Sequence, residues 1–422
     1  MRMRIRKFIA CCTLFLLTFV IITQSVFGKV ISLEEEKIVF VNDDNTEGPW
    51  DGSLEHPFRH IQDGIDNATA GDTVFVFSGL YTSIMIDKPV YLYGQQREET
   101  VIETSGTEPG IWITNDGVIV RDFTIKADVL CISIGSNNDT QIYSNVLMNI
   151  YGDFGKIGSS MPWDGIAIGA GSGNIISDNV IMDRGMGISM QESTENMIQR
   201  NTITNCAVGI LLEYGSNYNN ISGNTIENCW YLGIQIWESS NQNHIYHNNF
   251  ISNAQNAHDE CINIWDDGYP SGGNYWDDYT GEDNNEDGIG DTPYPIPGGG
   301  NEDQYPLMTK YVFPILDIVK ISGGFGIKVV LENRGEDTAG DIEMELSIKG
   351  GIFVIPREWS SGLKGLDPGD QSTLRIPIIG LGLCIIKDIP MITVTATASE
   401  SNNPEKITFA RIFGPFTLIY DI

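Results

Sequence analysis

The chain has 422 residues, 41% of them hydrophobic and 19% charged, enough for two or three domains around sizeable cores. Its 56 Asp and Glu against 25 Lys and Arg give a formal charge of −31. Such a surface repels phosphate backbones and anionic lipid headgroups, which argues against nucleic acid and in favour of divalent cations or neutral and cationic polymers.

Arg2, Arg4, Arg6 and Lys7 precede the apolar run Phe8 to Ile22, and Val26 and Gly28 stand at the spacing of a signal-peptidase site. Residues 1–28 therefore read as a secretory signal, with the protein secreted or displayed at the cell surface. The run of 15 residues falls short of the ~20 that a membrane span needs. An uncleaved anchor is the alternative, and membrane contact is expected only through this segment. Beyond the signal remain Cys131, Cys206, Cys229, Cys261 and Cys384, an odd number without zinc-type spacing. They read as small buried hydrophobes.

In "EHPFRHIQDGIDNAT" (55–69), Phe58, Ile61, Ile65 and Ala68 fall on one helical face, with Pro57 at the helix start. A solenoid exposes apolar faces and open strand edges at its ends, so this helix is expected to cap the N-terminal end of a repeat structure.

The repeat follows. "NTITNC" (201–206) returns as "NTIENC" (224–229), and Asn145, Asn179, Asn201, Asn224 and Asn248 align, the last three steps being 22, 23 and 24 residues. The 34-residue step from Asn145 to Asn179 implies an insertion within 151–165. A second marker pairs Gly165-Ile166, Gly187-Ile188, Gly209-Ile210 and Gly233-Ile234, with Cys261-Ile262 in the corresponding place further on. A period in the low twenties fits leucine-rich repeats or a parallel β-helix. Units rich in Ile, Thr, Asn, Ser and Gly, with no helical apolar face, select the β-helix. The expected fold is thus all-β: a right-handed parallel β-helix over residues 38–265, Ile along its axis and Asn at its bends satisfying backbone groups of neighbouring coils.

Residues 266–308 are turn-rich and acidic and read as a closing loop. From 312 to 422, alternating runs such as "GIKVVLEN" and "MITVTATA" indicate a β-sandwich. The closing "GGNYWDDYTGEDNNEDGIGDTPYPI" and "DQYPLM" resemble the end of the β-helix in proteins similar to the periplasmic copper-binding NosD family. The opening "VNDDNTEGPWDGSLEHPFRHIQDGIDNATAGDTV" resembles archaeal cell-surface relatives. This likeness covers residues 38–310 and implies an exported β-helix of the carbohydrate-binding and sugar-hydrolase type; a copper role belongs to only some members. Residues 312–422 resemble immunoglobulin-like modules appended to such proteins. A shared fold carries function across poorly.

Two constellations bear on chemistry. In "DNNEDGIGD", Asp283, Asn285 and Asp287 occupy positions 1, 3 and 5 of an acidic loop, Ile289 offers a carbonyl at 7 and Asp291 stands at 9. This is the oxygen pattern of a structural calcium site, although Tyr294 occupies position 12 where a bidentate Glu is usual, leaving Asp277 or Asp278 to complete the shell. The second comes from the repeat register. With Ile188, Ile210, Ile234 and Ile262 inward, alternation sends Gln191, Glu213, Trp237 and Trp265 outward, followed by Glu192, Tyr214, Glu238 and Asp266. Aromatic rings beside carboxylates suit sugars, which offer C–H faces and hydroxyls.

The favoured function is polysaccharide or cell-surface glycan binding through Gln191, Tyr214, Trp237, Trp265 and Asp266. The enzymatic alternative is a glycoside hydrolase or epimerase using Glu192, Glu213 or Glu238; Glu192 and Glu238, two coils and about 9.6 Å apart, stand near the spacing of an inverting pair. A purely structural or adhesive surface protein and a copper-handling protein are the remaining alternatives. Copper is disfavoured, because the "HIYH" spacing puts His244 and His247 on opposite sides of a regular strand and leaves His258 to approach from the next coil.

Overall fold

The computed structural model describes residues 37–151, 164–350, 353–382, 390–399 and 401–420. The expected signal, Cys384 and most of the 151–165 insertion lie outside the described residues.

From Ile38 onward the chain winds through three parallel sheets. Sheet I runs over nine strands from Ile38–Val41 to His244–Tyr246, sheet II over nine from Gly79–Tyr81 to Tyr275–Trp276, and sheet III over eight from Ile84–Ile86 to Ala257–Asp259. Each coil lays one short strand on each sheet, in register with the coil below: Ile188 pairs with Ile210 and Ile210 with Ile234. The Ile residues at these inward positions are fully buried and stack as one continuous core, joined by Cys131, Cys206 and Cys229. Those thiols are free and buried as expected, and burial pushes all three well above the ordinary thiol range.

The recurring asparagines are structural. Between sheets I and II, Asn145, Asn179, Asn201, Asn224, Asn248 and Asn274 form a buried ladder in which each amide donates to the side-chain oxygen of the next at 2.9–3.1 Å. A second ladder, Asn174–Asn196–Asn219–Asn243–Asn263, runs between sheets III and I. A bend leaves backbone groups that no strand can pair, and these side chains satisfy them. The residue before the Asn is left-handed at most bends, as at Ser144, Asp178, Arg200 and His247.

The cap helix α1 spans only Ile61–Asn67 and buries Ile61, Gly64 and Ile65. It is shorter than the sequence suggests because Phe58 is spent on an extended bridge to Val41, with Phe58 N–H donating to Phe40 O at 2.8 Å. A Cβ on Gly64 would stand 2.6 Å from Val41 Cγ2, so only glycine lets α1 approach the first strand this closely.

At the other end, Tyr275–Trp276 still pairs with Asn249 and Phe250. Phe250, Trp276 and Tyr294 stack at 4.4 and 4.2 Å, while Trp265 and Trp276 donate to the carboxylates of Asp259 and Asp303, each at 2.9 Å. The aromatic stack closes the core.

The C-terminal region forms two antiparallel sheets around its own core. One comprises Leu316–Ser322, Ile327–Asn333 and Gln371–Ile376; the other includes Ile342–Lys349, Met391–Thr397, Glu405–Gly414 and Phe416–Tyr420. This β-sandwich region docks on sheet I: Phe409 meets Phe40 and Phe75 edge-on at 5.1 and 5.2 Å. Beside them, buried Arg121 holds Glu405 at 2.8 Å and lies 4.3 Å over the Tyr93 ring.

Candidate functional site

The outer side of sheet III carries the expected column on three successive coils. Gln191 lies opposite Glu213, and Trp237 follows on the next coil, one residue beyond the Leu212–Ile236 pair. Gln191 Nε2 donates to Glu213 Oε1 at 2.7 Å, and Trp237 Nε1 donates to Glu213 Oε2 at 3.1 Å. The carboxylate is thereby clamped between an amide and an indole. Glu213 is only 8% exposed, so it points outward yet lies sheltered between its neighbours. Met186, Val208, Leu211 and Leu232 form an apolar floor against which Trp237 packs.

Glu192, Tyr214 and Glu238 stand one residue further, at the bend toward sheet I, with φ of 51°, 54° and 51°. The left-handed turn ends the strand and directs these side chains outward; all three are exposed. Glu192 and Glu238 are separated by the coil that carries Tyr214.

Trp265 and Asp266 do not join this column. Ile234 pairs with Ala257 and Ile236 with Asp259, so the last sheet III strand comes five residues before the expected Cys261-Ile262 marker. Ile262 is exposed and Trp265 is 1% exposed, inside the closing aromatic stack. Asp266 shapes the closing loop instead, accepting from Gly268 N–H and Gln304 N–H. The marker's place is taken by Asn256-Ala257, and the 23-residue step from Ile234 was the signal that locates it.

One neighbour was missed by sequence reasoning. Asp164, which follows the insertion, accepts from Ser189 Oγ through Oδ2, while its Oδ1 is shut off from water and without a hydrogen-bond partner. Burial pushes its carboxyl up to about 6; Ser189 and the Arg184 guanidinium act the other way, and Glu213 adds to the rise. Arg184 is itself fully buried, held by the carbonyls of Ala127, Val129 and Asp164.

In the acidic loop, Asp283 accepts from the main-chain N–H of Asp287 and Gly288 at 3.2 and 2.9 Å, Asp287 accepts from Ile289 N–H at 3.0 Å, and Asp291 is bonded to Asn284. Asp277 and Asp278 take their donors from Ser252, Asn256 and Tyr294. Among the described residues no group of three His, Cys, Asp or Glu side chains is assembled to hold a metal. His244 and His247 each engage a carbonyl, of Asp266 and Ser271. His247 also stacks on Tyr311 at 4.1 Å, and His258 lies on sheet III beside Glu260.

Known proteins are similar to parts of this chain. The probable ABC transporter binding protein NosD of Pseudomonas aeruginosa and that of Stutzerimonas stutzeri are each 37% identical over 84 residues, which is 20% of this chain and 19% of theirs. The chain thus matches about a fifth of the length of these curated relatives. Among solved structures, pectate lyase Pel9A is similar at 12% identity and a TM-score of 0.41, covering 56% of this chain and 82% of its own. A PL6 alginate lyase, AlyGC, gives 12% and 0.38, covering 48% and 33%. At these scores nothing about the chemistry of this chain follows from them. The family described as periplasmic copper-binding protein (NosD) matches residues 65–281, from the cap helix to the closing loop and over more than half of the sequence: the chain belongs to the NosD family.

Proposed function

We propose that this chain is an extracytoplasmic β-helix protein that binds polysaccharide along the edge of sheet III, through Trp237, Glu213, Gln191 and Tyr214, with Glu192 and Glu238 alongside. The observation that carries the reading is the clamp on Glu213, which fixes the Gln191 amide and the Trp237 indole on the coils to either side of it. A ring fixed this way loses little freedom on binding, and an aromatic face next to fixed polar groups is what a sugar ring requires. The extracytoplasmic setting rests on the family's description as periplasmic. Among the described residues no helix is long and apolar enough to cross a membrane.

The test is retention of the folded protein on a panel of neutral and acidic polysaccharides in affinity electrophoresis. The wild type is expected to be retarded by at least one glycan and Trp237→Ala to migrate freely. If no glycan retards the wild type, the reading falls. Scoring the same incubations for new reducing or unsaturated ends tests the enzymatic alternative through Glu192, Glu213 or Glu238. The half-buried Asp164, bonded to Ser189 and within electrostatic reach of Glu213, favours that alternative, because burial raises its carboxyl to about 6 and such a group suits general acid–base work.

A calcium ion in the loop 283–291 is the second element of the proposal, supported by the way Asp283 folds the backbone of Asp287 and Gly288 back on itself. It would stiffen the closing segment through Asp283, Asn285, Asp287, Asp291 and the Ile289 carbonyl.

Copper, which the family description names, asks for clustered imidazole or thiolate donors. The described residues do not fit that requirement: Cys131, Cys206 and Cys229 are inside the core, and His244 and His258 stand on different sheets.

A further inference from the structure

We infer that this protein self-associates through the outer face of its C-terminal sheet, a second copy of the chain covering a row of exposed apolar side chains. The pairing register puts six of them on one side. Phe325 lies opposite Phe416, Phe416 opposite Phe413, and Phe413 opposite Leu381, whose strand also carries Ile379, paired with Ile355. Leu418, two residues from Phe416, faces the same way. The six, Phe325, Ile355, Ile379, Phe413, Phe416 and Leu418, are between 54% and 77% exposed, and Phe325 and Phe416 meet edge-on at 5.6 Å.

Area, continuity and charge identify the occupant. Counting about 200 Å² for each of the three whole Phe side chains and somewhat less for Ile355, Ile379 and Leu418, the exposed portions amount to roughly 700 Å² per copy. That exceeds the contiguous apolar patch of an ordinary monomer, a few hundred Å², and approaches the ~800 Å² per partner of a standard interface. The face is also continuous with a contact already made: Phe409, on the same strand and the same side as Phe413, is the ring that packs on Phe40 and Phe75 of the β-helix. Finally, residues 312–422 hold 10 basic and 14 acidic side chains, so of the net −31 only −4 lies in this region. Long-range repulsion between copies is therefore weakest where the apolar row stands. Gly324–Phe325 ends the sheet, so its outer edge is also open to strand pairing with a two-fold mate. Dimerisation here joins two β-helices in one particle. The inference does not depend on what the sheet III column binds.

Sedimentation equilibrium of the full chain from 1 to 100 μM tests it. The expected result is twice the chain mass at the upper end, with Phe413→Asp/Phe416→Asp monomeric throughout and its circular dichroism and melting temperature unchanged. Because the double variant perturbs a long strand, Phe325→Ser serves as the second probe, expected to weaken association at least tenfold. A wild type that stays monomeric, or a dimer that survives both sets of substitutions, overturns the inference. So does a monomer that instead floats with neutral phosphatidylcholine vesicles, which would give the face to lipid.

Discussion

Asn201→Ala probes the ladder at its centre. Asn201 Nδ2 donates to Ile176 O at 2.8 Å and to Asn224 Oδ1 at 3.0 Å, while its Oδ1 accepts from Asn179 N–H at 3.1 Å and from Asn179 Nδ2 at 3.0 Å. The side chain is buried, so solvent does not replace it. Truncation orphans the Asn179 N–H and takes a donor from the Ile176 carbonyl. At about 1–3 kcal/mol for each buried unsatisfied group, the loss is about 2–6 kcal/mol, or roughly 4–24 °C in Tm at the 2–4 °C per kcal/mol expected for a region of this size. The measurement is thermal and urea unfolding by circular dichroism, with the exposed Met197→Ala on the same coil as a control expected within about 0.5 kcal/mol of wild type. If Asn201→Ala melts within 2 °C of wild type, the ladder is not what holds adjacent coils in register.

Two other expectations concern the closing segment. Burial pushes the Asp303 carboxyl up to about 6, with the donors Asn274, Trp276 and Tyr305 only partly offsetting it. The native state therefore binds an extra proton between about pH 4 and 6, and stability falls as pH rises through that window, by about 3 kcal/mol for a carboxyl raised from the ordinary 3.8 to about 6. Asp303→Asn is expected to remove that part of the slope, as read from urea midpoints at pH 4.5 and 7, and an unchanged slope refutes the assignment. For the loop 283–291, calcium at 100 times its Kd should add about 2.7 kcal/mol. Asp283→Asn should abolish the gain; a melting temperature insensitive to calcium in the wild type removes the ion from the account.

Much of this architecture was legible because a solenoid repeats one spatial slot per coil. Ile188, Ile210 and Ile234 occupy the same inward position in sequence and in space, and the Asn ladder follows from the same alignment. The repeat period ceased to guide where the pattern lost its letters. Asn256-Ala257 replaces Gly-Ile in the last coil, so Trp265 and Asp266 were drawn into a column to which they do not belong. Asp164 escaped notice for a related reason: the insertion before it breaks the period, and its bond to Ser189 crosses between coils 25 residues apart. Exposure is harder still to read from letters. The alternation of Glu405–Gly414 marks which residues share a side, but the same side buries Phe409 against the β-helix and leaves Phe413 bare.

The role proposed for the Gln191–Glu213–Trp237 column is to hold a sugar ring. Isothermal titration of the best-retained glycan into wild type and Trp237→Ala, with equal melting temperatures confirmed first, tests it most directly. The expected result is at least a tenfold loss of affinity in the variant, with Glu213→Gln weakened because it loosens the clamp. Equal affinity for wild type and both variants would contradict the claim and move binding, if any, to another face of the coil.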